Sequence, residues 1–276
     1  MVLVQKEIKK VYLGDTQVRP PKEKLPPLCF TANTANSIVR LRKHNSPANV
    51  TLETSTDLNT RTTYTIDSSI TLNNVGDKLY FRNTSETDTM FSTSTSNYYY
   101  FFLVSWSISA SGDVTTLLNK NGTDTLSDYC FYYLFSGCTS LTTPPEIPAT
   151  VLATYCCSTM FANCTSLISV PEFPDINLAV GCYQHMFNSC TALSTLPKLP
   201  VTTLANRCYQ YMFYWCSNIK LSTTQTWIYQ TEYRIPITWT WTTATDAVQY
   251  MFTNTWWTFK SDPSINTTYY TSNTVV

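Results

Sequence analysis

The chain has 276 residues, room for about two ordinary domains, and its 18 Lys and Arg balance 18 Asp and Glu to a formal net charge of zero. Charged residues make up 13% of it against roughly 25% in a usual soluble domain, with Thr, Ser, Asn and Tyr in their place. A nucleic-acid surface needs a basic field, and no Lys/Arg cluster lies beyond the first residues; no apolar run reaches the ~18 residues of a membrane span. Residues 1–7 lack the apolar centre of a signal peptide, so synthesis in a cytoplasm without membrane insertion is expected.

The first region spans residues 1–27. A peptide runs from Ile8 through Lys9, Lys10, Val11, Tyr12, Leu13, Gly14 and Val18 to Pro21; its first half alternates well enough for a strand, and the peptide is cationic. Pro20-Pro21 and Pro26-Pro27 cut it off from the next region, which predicts pairing with some other surface. Residues 28–120 read as a β-sandwich. Short β-branched or alternating runs at 38–42, 50–53, 70–72 and 78–82 are separated by turn residues such as Asn73-Asn74 and Gly76-Asp77. The run at 98–104, Tyr-Tyr-Tyr-Phe-Phe-Leu-Val, predicts a strand buried on both faces.

Residues 121–222 repeat every 26 residues in four units. One slot holds Leu126, Leu152, Leu178 and Leu204, and the next holds Cys130, Cys156, Cys182 and Cys208. Then come Leu134, Met160, Met186 and Met212, each followed by Phe, and after them Cys138, Cys164, Cys190 and Cys216. A further slot holds Leu141, Leu167, Leu193 and Ile219, and Pro148, Pro174 and Pro200 mark a turn. A period of 20 to 29 residues lies in the leucine-rich-repeat range, where each unit buries its apolar face only by stacking on its neighbours. Leu152, Cys156, Met160 and Cys164 recur every fourth residue, which predicts one stripe of an α-helix starting after Thr150 and ending near Gly137, Asn163 and Ser189 in their units. A short extended segment from Ser166 and a proline turn at Pro171 and Pro174 complete the coil, giving an α/β solenoid.

Eight of the ten cysteines fill two ladder slots, which predicts reduced core thiols rather than disulfides, and the absence of C-x-x-C argues against zinc. Cys29 and Cys157 fall outside the ladders. Residues 223–276 depart from the period: Tyr250-Met251-Phe252 echoes Tyr211-Met212-Phe213 at a distance of 39, with both Cys slots lost. Five of the seven tryptophans gather here, namely Trp227, Trp239, Trp241, Trp256 and Trp257. They read either as a cap on the open end or as a receptor tip whose flat apolar faces contact sugars or protein loops.

Catalysis, a metal and a cofactor are not expected. His185 occupies a slot held elsewhere by Tyr133, Thr159 and Tyr211, which marks a freely varied position, and Glu146 and Glu172 share an edge slot that Lys198 takes next. The unit from Cys182 through Tyr183, Gln184, His185, Met186 and Phe187 to Cys190 and Leu193, with Pro197-Lys198-Leu199-Pro200 after it, resembles the BspA-like leucine-rich repeats of gut-bacterial surface proteins and of the tailed phages that infect those bacteria. Residues 74–82 and 91–98 are similar to the β-domain preceding such repeats, and residues 9–20 resemble a short anchor peptide of phage virion proteins.

The resemblance implies a multi-domain, non-enzymatic virion protein of a crAss-like or related phage, made in the host cytoplasm: a head fibre, capsid decoration or tail fibre. Its N-terminus would dock on capsid or tail proteins through Ile8, Val11, Tyr12, Leu13, Gly14 and Val18. Its repeats would touch a host-surface glycan or protein, and it would assemble as a homo-oligomer, a trimer first. A secreted bacterial adhesin is the alternative reading, with a glycan depolymerase behind it; the absence of a signal peptide separates the first, and of a paired-acid constellation the second.

Overall fold

The computed structural model of the protein describes residues 11–13, 16–18, 24–45, 50–89, 99–174, 176–236, 244–255 and 262–276. Strands β1 (Val11–Leu13) and β2 (Thr16–Val18) form an antiparallel hairpin that pairs with no other described strand. Eight strands come next: β3 (Leu28–Ala32), β4 (Ser37–His44), β5 (Leu52–Ser55), β6 (Thr62–Thr63), β7 (Ser69–Leu72), β8 (Lys78–Asn83), β9 (Tyr99–Ser105) and β10 (Ile108–Ser111). They make two antiparallel sheets, ordered β10-β3-β8-β5-β6 and β7-β4-β9. The sheets face each other because alternate residues of each are large and apolar. Phe30 and Phe81 of the first meet Phe102 of the second at ring-centroid distances of 4.9 and 5.3 Å.

Strand β9 is not buried on both faces as its sequence predicts. Tyr100 and Phe102 are buried, whereas Phe101, Leu103 and Val104 are only partly covered, and β9 is the edge of its sheet among the described strands. That edge is used. The Phe102 amide donates to the Leu134 carbonyl at 2.7 Å, and the Ile108 amide to that of Ser140 at 3.1 Å, so the sheets and the first repeat unit share backbone bonds and one core.

The expected helix in each unit is absent; the described residues hold one 3-10 turn (Val114–Leu117) and no α-helix. An α-helix would turn every amide inward to the fourth residue back. Here the amides alternate. Those of Cys130, Tyr132 and Leu134 bond three residues back within the unit, while those of Tyr129, Phe131 and Phe135 donate to Thr154, Cys156 and Met160 of the next unit at 2.8 to 3.0 Å. Tyr129, Tyr133 and Gly137 have φ of 57°, 61° and 78°, so every second turn carries a left-handed residue in its third position. The result is a ribbon of tight turns with two side chains in and two out. Cys130 and Phe131 are buried, Tyr132 and Tyr133 lie at the surface, and Leu134 and Phe135 are buried again. A spacing of four fits this ribbon as well as a helix, and adjacent apolar pairs distinguish the two.

The same bonding joins each unit to the next and continues past the break in period. The amides of Tyr209, Tyr211 and Phe213 donate to Ala247, Gln249 and Met251 at 2.9 to 3.0 Å, so residues 244–255 stack as a fifth unit. Phe102, Phe135, Phe161, Phe187, Phe213 and Phe252 form one ladder with centroid spacings of 5.2 to 5.6 Å. Ala247 and Thr255 replace the two cysteines, and both are buried. Cys157, outside the sequence ladders, takes the inward position beside Cys156 that Phe131 and Tyr183 take in other units. All ten cysteines are buried and unbridged.

On the extended side, among the described residues of the units, β11 (Thr195–Leu196) and β12 (Leu221–Ser222) form strands. The C-terminal residues complete this side. β13 (Thr231–Arg234) and β12 both pair antiparallel with β14 (Thr268–Thr271), and β15 (Thr274–Val275) runs parallel to β11. Tyr233, Ile235 and Tyr269 are buried there.

Candidate functional site

The outward positions of the turn ribbon make columns along the stack. One column holds Tyr133, Thr159, His185, Tyr211 and Tyr250, all with φ between 54° and 61°. Left-handed backbone is comfortable for Gly and tolerable for Asn, and a bulky residue there costs roughly 1 kcal/mol or more. Stacking offsets part of it. His185 lies on Tyr211 at 4.4 Å and 6°, and Tyr211 on Tyr250 at 4.8 Å. Such pairs contribute about 0.5–1.5 kcal/mol each. Burial holds the His185 imidazole below its usual pKa, and Asn188 Nδ2 lies 3.2 Å from its Nδ1. This ring is therefore a neutral stacking element and not the freely varied surface position its slot predicts.

A second column begins with Tyr129 and Tyr155, stacked at 5.2 Å and 24°. A Cβ on Gly181 would meet the Tyr155 ring at 2.2 Å, so the glycine lets that ring lie across the third unit. Beyond it, Arg207 and Asp246 pair at 3.8 Å. Behind these columns the Gln184 side-chain amide donates to Gln210, and Gln210 donates to Gln249. One glutamine ladder thus backs the aromatic face across the third, fourth and fifth units.

Of the tryptophans expected to touch a ligand, Trp227 is 84% exposed in the loop between β12 and β13, beside the exposed Ile228. Trp239, Trp241, Trp256 and Trp257 lie outside the described residues. Of the anchor residues, Val11, Tyr12, Leu13 and Val18 belong to the separate hairpin, and Ile8 and Gly14 lie outside the described residues.

The structure adds two exposed tryptophans that sequence reasoning does not single out. Trp106, 64% exposed at φ 62°, caps the β9–β10 turn beside the first unit, and Trp215, 53% exposed at φ 61°, stands on the fourth. A signal for Trp215 is present: its slot holds Gly137, Asn163 and Ser189 in the other units.

Glu146 and Glu172 line one cleft of about 400 Å³ with Leu25, Ile147, Pro148, Phe173 and Pro174. Among the described residues no group of three or more His, Cys, Asp or Glu is placed to hold a metal, and no helix is long and apolar enough to cross a membrane. Comparison with protein-family models, curated proteins and solved structures finds no match to this chain.

Proposed function

We propose that the protein is a non-enzymatic adhesion component of a tailed-phage virion. In this reading the stacked units are a leucine-rich-repeat solenoid of the BspA-like kind, built from turn ribbons in place of helices, that carries an aromatic face to a host-surface glycan. The observation behind adhesion is that large aromatic residues occupy left-handed positions on the outer face, where smaller residues would be more stable, and that Trp106, Trp215 and Trp227 are left largely exposed. Exposed Trp and Tyr present an apolar body with a polar edge, the pairing that contact surfaces favour.

The virion reading rests on the resemblance of residues 9–20 to an anchor peptide and on the β1–β2 hairpin, which pairs with no other described strand and in this reading receives strands of capsid or tail proteins. Several copies on one particle, as a homo-oligomer, would turn weak contacts into firm attachment.

The experiment is particle purification from a phage encoding this chain. The full protein is expected in density-purified particles, and a form lacking residues 1–24 is expected to fold but to be missing from them. Equal incorporation of the truncated form would overturn the anchor role. Protein found only on uninfected bacterial surfaces would favour a bacterial adhesin instead.

A further inference from the structure

Resting on the adhesion reading, we infer that Trp215, with Tyr214 beside it, is a stacking site for a neutral sugar ring. Across the five units the pair at this place is Ser136-Gly137, Ala162-Asn163, Asn188-Ser189, Tyr214-Trp215 and Thr253-Asn254. Four pairs are small and the fourth unit alone carries two large aromatics. The second member of each pair has positive φ, from 60° to 78°, which Gly and Asn accept and Trp resists. Burial does not repay the strain at Trp215, whose side chain stays about half in water. A residue that breaks a local rule without a packing gain points to a ligand.

Ring geometry separates this site from the rest of the face. In the column of His185, Tyr211 and Tyr250 the rings lie on one another, so Tyr211 has a ring on each side and His185 and Tyr250 each have one face against it. Trp215 has no parallel partner among the described residues. Its ring contact is Tyr214, edge-on at 6.0 Å and 76°, and Tyr214 is braced in turn by Tyr211 at 5.3 Å and 78°. An indole about half exposed, with no ring stacked on it among the described residues, is a platform for a flat apolar surface, such as the C–H face of a pyranose.

The surroundings define the ligand's charge and size. The Ser189 amide donates to the Tyr214 carbonyl at 2.7 Å and the Trp215 amide to that of Thr253 at 3.1 Å, so Asn188, Ser189, Thr253 and Asn254 flank the pair. All four are neutral groups that donate and accept hydrogen bonds, suited to hydroxyls, and none brings the positive charge that would favour a carboxylate or phosphate over a neutral sugar. Two aromatic side chains present at most about 300–500 Å², below the roughly 800 Å² per partner of a stable protein interface. A neutral glycan fits where a protein partner does not.

The test titrates the full protein with neutral malto-, cello- and manno-oligosaccharides, and with polygalacturonate as the charged comparison, by calorimetry and indole fluorescence. Trp215→Asn installs the residue that units two and five carry, so its Tm should be unchanged or higher. At least one neutral oligosaccharide is expected to bind the wild type, and about tenfold or more of that affinity should be lost in Trp215→Asn, while Val75→Ala, an exposed apolar residue between β7 and β8, keeps it. Binding that survives Trp215→Asn, binding of polygalacturonate only, or no binding of any neutral sugar would overturn the site. So would a collapsed Tm in both Trp215→Asn and Trp215→Ser, which would make Trp215 a structural residue. Adsorption to host cells separates the two levels: if Trp215→Asn adsorbs like wild type, this site fails and adhesion stands, and if the wild type does not adsorb, the adhesion reading itself fails.

Discussion

The rings of Phe213 and Phe252 stack at 5.4 Å and 10°, repeating across 39 residues the relation that Phe187 and Phe213 hold across 26, at 5.6 Å and 7°. The additional residues between them therefore leave the stack and return to it in register. Phe252 is fully buried although it belongs to a unit without cysteines. Phe252→Ala should cost about 3–5 kcal/mol in denaturant unfolding, as Phe187→Ala should, because each leaves a ring-sized cavity in the ladder. A loss under about 1 kcal/mol would show the fifth unit to be a frayed end.

Asn273 joins the C-terminal residues to two units at once. Its Nδ2 donates to the carbonyls of Ser194 and Asn218 at 3.1 and 3.0 Å, and its Oδ1 accepts from the Lys220 amide at 2.8 Å. Asn273→Ala should lower stability by about 1–3 kcal/mol and expose β11 and β15 to hydrogen exchange before the Phe ladder opens. Uniform exchange across both regions would contradict a locking role.

Burial pushes the thiols of Cys138, Cys208 and Cys216 up from 9.0 to about 12. A raised thiol pKa favours the neutral form in the folded state. The associated stability is complete below pH 9 or so and is lost as pH rises through about 12. Thiol reagents at pH 8 should leave the native cysteines unmodified and react with them on unfolding. Cys164 Sγ donates to the Phe135 carbonyl at 3.1 Å, so Cys164→Ser keeps a donor for that carbonyl and should cost only about 1 kcal/mol.

His185 titrates in the opposite sense. Burial lowers its pKa from 6.5, so the neutral ring contributes stability above that pH, and the contribution is lost as pH falls through the lowered value. Unfolding midpoints should fall between pH 7.5 and 5.5 in the wild type and less steeply in His185→Tyr, which supplies the residue found at Tyr133 and Tyr211. Equal slopes would show that His185 does not carry the dependence.

The repeat register, the two cysteine ladders and most strands of the first sheets are legible in the sequence, since buried slots tolerate few residue types. The secondary structure of the units is not. Leu152, Cys156, Met160 and Cys164 satisfy a helix and a four-residue turn ribbon equally, and the choice depends on amides donating to the next unit, which is tertiary information. Strand β3 escapes the sequence patterns because it comes directly after a proline pair and Leu28, Cys29 and Phe30 are all buried, which removes the alternation that marks a half-buried strand. The exposed site is hidden by number: tryptophans crowd the chain from Trp227 onward, whereas the signal of Trp215 is a mismatch with its own column.

The proposed adhesion to a surface glycan is tested most directly by binding of the labelled, purified protein to cells of the bacterium that the proposed phage infects, before and after periodate oxidation of surface sugars. Saturable binding that periodate abolishes is the expected result. Binding that periodate leaves intact, or no saturable binding at all, would contradict it.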